Sequence, residues 1–428
     1  MKFLYNLGIY LYQFGLRCAA PFHAKARAWV RGRRGLFDRI KSDLQTDSQV
    51  DTAWFHAASL GEFEQGRPVI EAFRGRYPGY RIVLTFFSPS GYEIRKHYAG
   101  ADFVYYLPAD TPTNARQFID LVCPKVAFFI KYEFWHNYLS QLHTQQVPAF
   151  CISAIFRADQ VFFGTSIGRA HQPLFFSWNR FFQGTLRNFT HHFVQNQESV
   201  RLLNGIGINN TTLAGDTRFD RVHQLAEVRQ VVRLVADFCH AQQVLVVGSA
   251  WDADLKVLIP FLNCFTKPLK VIVAPHEIQA EEIGRWQKQM HAKSIKYSEV
   301  VPNQAIETDV RVLFIDNIGL LSSLYQYAQF AYIGGGFGKG LHNILEAATF
   351  GLPLFFGNKN YQKFQEANDL IAAGGAFLVA DTPGFTQLFG ALYQDKTRQQ
   401  NLRAANQAYV ESRTGATQII LDLAGRWL

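Results

Sequence analysis

Short apolar runs alternate with helix-length polar stretches along almost the whole chain, twice over, and nothing else in the sequence restricts the fold as much. In the first half the runs are Thr52 to Phe55, Tyr80 to Phe86, Phe103 to Tyr106, Val126 to Ile130 and Ala149 to Ile152. Segments with helical spacing, such as Arg67 to Tyr77 and Thr113 to Leu121, lie between them. The second half repeats the pattern at Val244 to Val247, Lys270 to Val273, Val312 to Ile315, Phe330 to Ile333 and Leu354 to Phe356. A strand that is apolar all round must be covered on both faces, and helices returning between parallel strands do this. The expected class is α/β, with two doubly wound Rossmann-like domains facing each other across a cleft and ligands at the carboxyl ends of the strands. A chain of 428 residues is long for one core and suits two domains of roughly 200 residues each. We assign 1–35 to a membrane-associating segment, 36–222 to the first domain, 223–242 to a connector and 243–428 to the second domain. A C-terminal helix packing back on the first domain is part of this expectation.

The N-terminal segment has its own chemistry. Phe3 to Phe22 is rich in Leu, Tyr, Phe and Ile and carries one charge, Arg17. Lys25, Arg27, Arg31, Arg33, Arg34, Arg39 and Lys41 follow, with Asp38 the one acid before Lys41. An apolar helix followed by a polybasic stretch is attracted to an anionic membrane surface. Asn6, Gln13, Gly8 and Gly15 make a spanning helix marginal, so a shallow interfacial anchor is expected. The plainer alternative is a first helix packed on the domain. The basic cluster follows the apolar run, so a cleaved signal peptide is not expected.

The net charge of +9 predicts anionic partners. The basic residues concentrate beside the apolar foot and no RNA or DNA motif is visible, so nucleic acid is not expected among them. Five scattered cysteines without C-x-x-C argue for a reducing compartment and against a zinc ribbon. The adjacent His191 and His192 would face opposite sides of a strand, and no H-E-x-x-H occurs. Neither a metal nor a cofactor is expected.

Late in the chain, Tyr332-Ile333-Gly334-Gly335-Gly336-Phe337-Gly338-Lys339-Gly340 runs into His342-Asn343-Ile344-Leu345-Glu346-Ala347-Ala348. This reads as strand, glycine loop and helix, the helix ending at Gly351-Leu352-Pro353. Free N–H groups and the positive end of a helix dipole make such a unit an anion site. No G-x-G-x-x-G can be read in register, and Lys339 is followed by Gly340 where an NTPase loop needs Ser or Thr. Asn343 and Glu346, one helical turn apart, suit a ribose or a base edge. The alternative is a tight turn that uses glycine only for geometry.

In the first half, Trp54-Phe55 runs into His56-Ala57-Ala58-Ser59-Leu60-Gly61-Glu62-Phe63-Glu64. Glu62 sits where the loop becomes a helix. A carboxylate there can take a proton from a hydroxyl nucleophile, and the helix start should favour its charged form. Routine helix capping is the competing role. Glu64, two residues on, points elsewhere. Glu133, in Lys131-Tyr132-Glu133-Phe134-Trp135-His136-Asn137, follows another strand. It is expected to be desolvated beside Trp135, or else to bond a loop backbone. Ser88-Pro89-Ser90-Gly91 is placed to hold a sugar or phosphate. Arg218, in Gly215-Asp216-Thr217-Arg218-Phe219-Asp220, either neutralises an anionic ligand at the interdomain seam or pairs with Asp216 or Asp220.

Together these motifs resemble those of the 3-deoxy-D-manno-octulosonic acid (Kdo) transferases of Gram-negative lipopolysaccharide assembly. Ala274-Pro275-His276-Glu277 and Asp316-Asn317-Ile318-Gly319 add to the resemblance, which spans nearly the whole chain. It implies a GT-B glycosyltransferase at the cytoplasmic face of the inner membrane. CMP-Kdo would be the donor and a lipid A precursor of the lipid IVA type the acceptor, with inversion and without a metal. The first domain would then be acceptor-side and the second would bind the nucleotide sugar. By resemblance Glu62 is the general base, Glu133 an acid that supports the transition state, and Arg218 stands where lysine is common. Pro275, His276, Ile318, Gly319, Leu320, Asn343, Ile344, Leu345 and Glu346 match the stretches that hold CMP, with Leu320 in place of the usual Glu. Gly334, Gly335 and Gly336 form the phosphate loop, and Ser59, Gly61 and Ser88 lie on the acceptor side. A GT-B enzyme using a UDP-sugar, or a sugar-nucleotide epimerase, would share the glycine loop and a helix-borne Glu. The segment from His56 to Glu62 and the N-terminal foot argue against both. A basic nucleic-acid-binding protein and a non-catalytic membrane scaffold are the readings from other classes.

Overall fold

The computed structural model describes residues 1–44, 50–164, 173–228, 230–239, 242–301, 306–338 and 340–428. They form two compact units, Met1–Arg221 with Thr414–Leu428, and Val222–Arg413. The first unit holds strands β1 (Thr52–Ala57), β2 (Arg81–Phe86), β3 (Phe103–Tyr106), β4 (Pro124–Ile130), β5 (Ala149–Ala154), β6 (His191–Val194) and β7 (Thr211–Leu213). The second holds β8 (Val244–Ala250), β9 (Lys270–Pro275), β10 (Ser294–Lys296), β11 (Val312–Phe314), β12 (Phe330–Ile333), β13 (Leu354–Gly357) and β14 (Ala376–Val379). Their orders are β3-β2-β1-β4-β5-β6-β7 and β10-β11-β9-β8-β12-β13-β14. Neighbouring strands are parallel throughout. In each sheet the chain starts near the middle, fills one side, then crosses to wind out the other; in the second sheet β11 returns to lie between β9 and the edge strand β10. The crevice opened by that reversal lies between β1 and β4, and between β8 and β12.

Every strand expected from an apolar run is present. β6, β7, β10 and β14 are strands as well, although they are short and three of them carry His, Thr, Ser or Lys. Alternation explains how both faces of the first sheet are filled. Trp54 turns to one face with Val83, Phe129 and Ile40. Phe55 turns to the other with Leu84, Phe128 and Ile70. The helix Ala416–Ala424 adds Ile420 and Leu421 to this second layer. Its first turn is capped by Asp220, which accepts from Gly415 N–H (2.6 Å) and Thr417 N–H (2.7 Å). The connector stretch carries the end of the helix Thr217–Glu227 and the helix Arg233–Cys239.

Three helices precede β1: α1 (Lys2–Ala19), α2 (Ala24–Gly32) and α3 (Leu36–Leu44). α1 has no fully buried residue. One side docks through Tyr5, whose hydroxyl donates to Asp110 Oδ2 (2.6 Å), and through Asn6, whose Oδ1 accepts from Asn137 Nδ2 (2.9 Å). Tyr12 stacks on Phe87. Phe3, Leu7, Tyr10, Leu11 and Phe14 are exposed at spacings that fall on one face. Among the described residues no helix is long and apolar enough to cross a membrane.

Candidate active site

The first crevice is built by two strand ends. β1 closes at Ala57 and the chain enters helix α4 (Leu60–Arg76). Glu62 Oε2 accepts from Ala58 N–H (2.6 Å) and Ser59 N–H (3.2 Å), so Glu62 does cap its own helix. Its Oε1 has no partner among the described residues. The carboxyl is nevertheless pushed up to about 7, first by burial and then by the neighbouring Glu133. The two N–H bonds and Lys131 pull the other way and lose. This corrects the expectation that the helix start would favour the charged form, because desolvation and a like charge outweigh two hydrogen bonds.

At the end of β4, Lys131 takes a left-handed conformation (φ 66°), and its N–H donates to Ile152 O (2.9 Å). The turn delivers buried Glu133 to the end of β1. There Glu133 Oε2 lies 3.1 Å from His56 Nε2 and accepts from Trp135 Nε1 (2.7 Å). Its partners are therefore side chains and not the loop backbone. His56 is wholly buried, and its Nδ1 lies 2.8 Å from Thr85 Oγ1 in β2. Thr85 in β2, His56 in β1 and Glu133 in the turn after β4 thus form a row across the sheet end. α4 lies close on this edge because residue 66 is glycine; a Cβ there would sit 2.1 Å from Ile130 Cδ1.

The other first-unit candidates have local partners. Ser88 N–H donates to Ala58 O (2.7 Å), tying the loops after β1 and β2 together. Ser88 Oγ accepts from Ser90 N–H (3.3 Å) and caps the short helix Pro89–Arg95. Gly61 is exposed in the first turn of α4. Arg218 Nη2 and Nε reach Asp216 Oδ2 at 2.6 and 2.8 Å, which makes it one partner of a part-buried ion pair.

The second crevice is lined differently. Trp251 follows β8, His276 follows β9 and His342 follows the loop after β12. They stack with centroid separations of 4.4 Å (Trp251–His276) and 4.2 Å (His276–His342). Trp251 Nε1 donates to His342 Nε2 (2.9 Å), which leaves the His342 proton on Nδ1. Burial, then His276, hold His342 down to about 4, so it is neutral at pH 7.

The glycine loop departs from its expectation. Gly335 N–H donates to Asp254 Oδ2 (3.0 Å), which also accepts from Trp251 N–H (3.0 Å), while Tyr332 Oη donates to Asp254 Oδ1 (3.1 Å). A carboxylate of the protein occupies part of the position read as an anion site. A Cβ on Gly334 would lie 2.1 Å from Ser249 O, and one on Gly336 2.6 Å from Gly357 N. Backbone crowding alone thus requires glycine at both positions. The helix expected from His342 is a single turn, Leu345–Ala348, because His342 is drawn into the stack and Asn343 Oδ1 accepts from Leu345 N–H (3.2 Å). Lys339 lies outside the described residues. Asn343 Nδ2 donates to Glu346 Oε1 (3.0 Å), and Ile344 and Leu345 are buried. Pro275 ends β9 beside the stack. Ile318, Gly319 and Leu320 occupy the loop after β11, with the Ile318 side chain almost fully exposed.

The structure therefore joins Glu62 with Glu133, and His276 with the glycine loop. It adds His56, Thr85, Trp251, His342 and Asp254, which sequence reasoning gave no role. The available signal was positional, since most of them lie at or just beyond a strand's carboxyl end. Among the described residues no three His, Cys, Asp or Glu side chains converge so as to hold a metal ion.

Residues 30–221 match the family described as 3-deoxy-D-manno-octulosonic-acid transferase (kdotransferase). The chain is 25% identical over 390 residues to the 3-deoxy-D-manno-octulosonic acid transferase of Bordetella pertussis, covering 88% of this chain and 87% of that protein. It is 24% identical over 328 residues to the transferase of the same name from Aquifex aeolicus (strain VF5), covering 76% and 80%. Among solved structures it resembles UDP-GlcNAc 2-epimerase from Neisseria meningitidis bound to UDP-GlcNAc, at 14% identity and a TM-score of 0.59, covering 88% of this chain and 100% of that one. It also resembles Acinetobacter baumannii MurG, at 12% identity and a TM-score of 0.53, covering 88% and 99%. These two likenesses show the fold alone. The chain has a GT-B-like α/β fold, and it resembles the 3-deoxy-D-manno-octulosonic-acid transferases, which are glycosyltransferases, through residues 30–221 and through relatives about a quarter identical over most of its length.

Proposed function

We propose that the protein transfers Kdo from CMP-Kdo to a hydroxyl of a lipid A precursor of the lipid IVA type, at the cytoplasmic face of a Gram-negative inner membrane. The observation that carries this reading is Glu62: a part-buried carboxyl beside Glu133, raised to about 7, on a segment that lies within the family match. A base works best when its pKa lies near the operating pH.

Glu62 takes the proton of the acceptor hydroxyl on its unpartnered Oε1. The acceptor oxygen attacks the anomeric carbon of Kdo as the bond from that carbon to the phosphate oxygen breaks. CMP leaves with the electron pair. Attack opposite the leaving group inverts the centre. Glu133, fixed by His56 and Trp135, supports positive charge that develops at the anomeric carbon. Arg218 offers a cation to the donor's anionic groups and shares it with Asp216. The flat surface of Trp251, His276 and His342 suits a pyrimidine, and Asn343 with Glu346 suits a ribose. No step requires a metal ion. The exposed apolar face of α1 and the basic residues after it support shallow attachment to an anionic membrane.

The test is incubation with CMP-Kdo and a tetraacylated lipid A precursor, with product mass counted in Kdo increments and repeated in EDTA. Transfer by the wild type, none by Glu62→Gln and no loss in EDTA are expected. Competition that favours UDP over CMP would replace this reading with a UDP-sugar enzyme.

A further inference from the structure

A cavity of about 760 Å³ lies in the N-terminal helical region of the first unit, walled by parts of α1, α2 and α3 and by the segment after β3. That volume falls within the ~300–1,000 Å³ of ordinary ligand sites. Arg17, Arg27, Arg31, Arg33 and Arg34 line it, and among the described residues no acidic side chain does. The guanidinium groups of Arg17, Arg31 and Arg34 have no partner among the described residues. Arg33 is held in place by the carbonyls of Leu107, Trp29 and Phe87, and lies 3.8 Å from the Trp29 ring centroid. Burial brings its pKa down to about 9, so it is charged at neutral pH at a cost that an anion would offset. Trp29, only 6% exposed, lines the same cavity, and its indole N–H has no acceptor among the described residues. Buried N–H groups seldom go unmet.

We infer that this cavity binds the phosphate group of a membrane lipid. Arginine forks match phosphate oxygens in pairs, and the Trp29 N–H supplies a further donor. The space is far larger than one phosphate ion, and the exposed apolar face of α1 runs beside it, so the phosphate is carried on a lipid. The cavity also reaches the carboxylates through touching rings. Trp29 and Phe87 lie 5.9 Å apart, Phe87 and Trp135 4.8 Å, and Trp135 donates to Glu133. That this lipid is the acceptor rests on the function proposed above; the existence of the site does not.

The test uses the full chain with phosphatidylcholine vesicles that contain about 10 mol% phosphatidic acid, or phosphatidylglycerol at matched surface charge. Arg31→Gln/Arg34→Gln removes two exposed cavity arginines. Lys25→Gln/Lys41→Gln removes equal charge from the same segment, outside the cavity. The cavity variant is expected to bind phosphatidic acid vesicles about tenfold or more weakly than the control, while the two variants lose phosphatidylglycerol binding equally. Equal losses in both variants would make the attraction diffuse and overturn the site. Inorganic phosphate bound as tightly as phosphatidic acid vesicles by the wild type would make it a free-phosphate site and overturn the lipid assignment. Vesicle binding needs no CMP-Kdo, so failure here leaves the transfer reading standing. Absent Kdo transfer with selective binding retained would sink only that reading.

Discussion

The two crevices share a topology and differ in what lines them. Between β1 and β4 stand two carboxylates, one of them lifted to about 7, with a buried histidine behind the other. Between β8 and β12 stand three stacked rings and a glycine loop whose carboxylate, Asp254, is saturated by Gly335, Trp251 and Tyr332. A doubly wound sheet supplies the opening in both cases. The few residues just past the strand ends decide whether it presents paired carboxylates or stacked rings.

The largest test of that contrast is Glu62→Gln, which preserves shape and removes the proposed base. Transfer should fall about 10³-fold while CMP affinity stays put. A variant that kept a tenth of the activity would remove proton handling from the first crevice. Next comes Gly335→Ala in the second. Residue 335 has φ 90°, and a Cβ there would lie 2.3 Å from Gly340 O. Urea unfolding should show a loss of about 1–3 kcal/mol. Unchanged stability would mean the loop relaxes and glycine is not required there.

Trp251→Ala should weaken CMP binding by up to about tenfold, judged from the worth of an aromatic pair, without moving the pH profile. Calorimetric affinity equal to wild type would make the stack merely structural. The smallest effect is on pH. If Glu62 is the base proposed above, its working form is unprotonated, so kcat/KM should rise through about 7 and then level. Glu133→Gln removes the like charge but not the burial, so this limb should move down by less than the full displacement. CMP affinity should stay flat well above the His342 value of about 4. The same Glu62 shift makes a stability statement. Its carboxyl binds the proton more tightly folded than unfolded, so its contribution is greatest below the ordinary 4.5 and declines as pH rises to about 7.

Part of this architecture is legible in the apolar pattern. Runs such as Phe128-Phe129-Ile130 can only be satisfied in a sheet covered on both sides, so the α/β class and the inner strands follow from apolar content. Edge strands such as Thr211–Leu213 and Ser294–Lys296 bury little and carry no such signature. The stretch after the glycine loop has good helix formers, yet His342 is pulled away by Trp251, 91 residues earlier in the chain. For Glu62 the sequence allows a base or a cap, and the side chain is in fact hydrogen-bonded as a cap.

Residue order by itself determined where the chain is apolar, and hence its layers and the loops at the strand ends, because burial of apolar surface is a local property summed along the chain. The tertiary structure alone decided which distant groups meet there: Glu133 lies 71 positions beyond Glu62, and His56 and Glu133 are 77 apart. Protonation depends on desolvation and on charges a few ångströms away, and neither quantity exists until the strands are side by side.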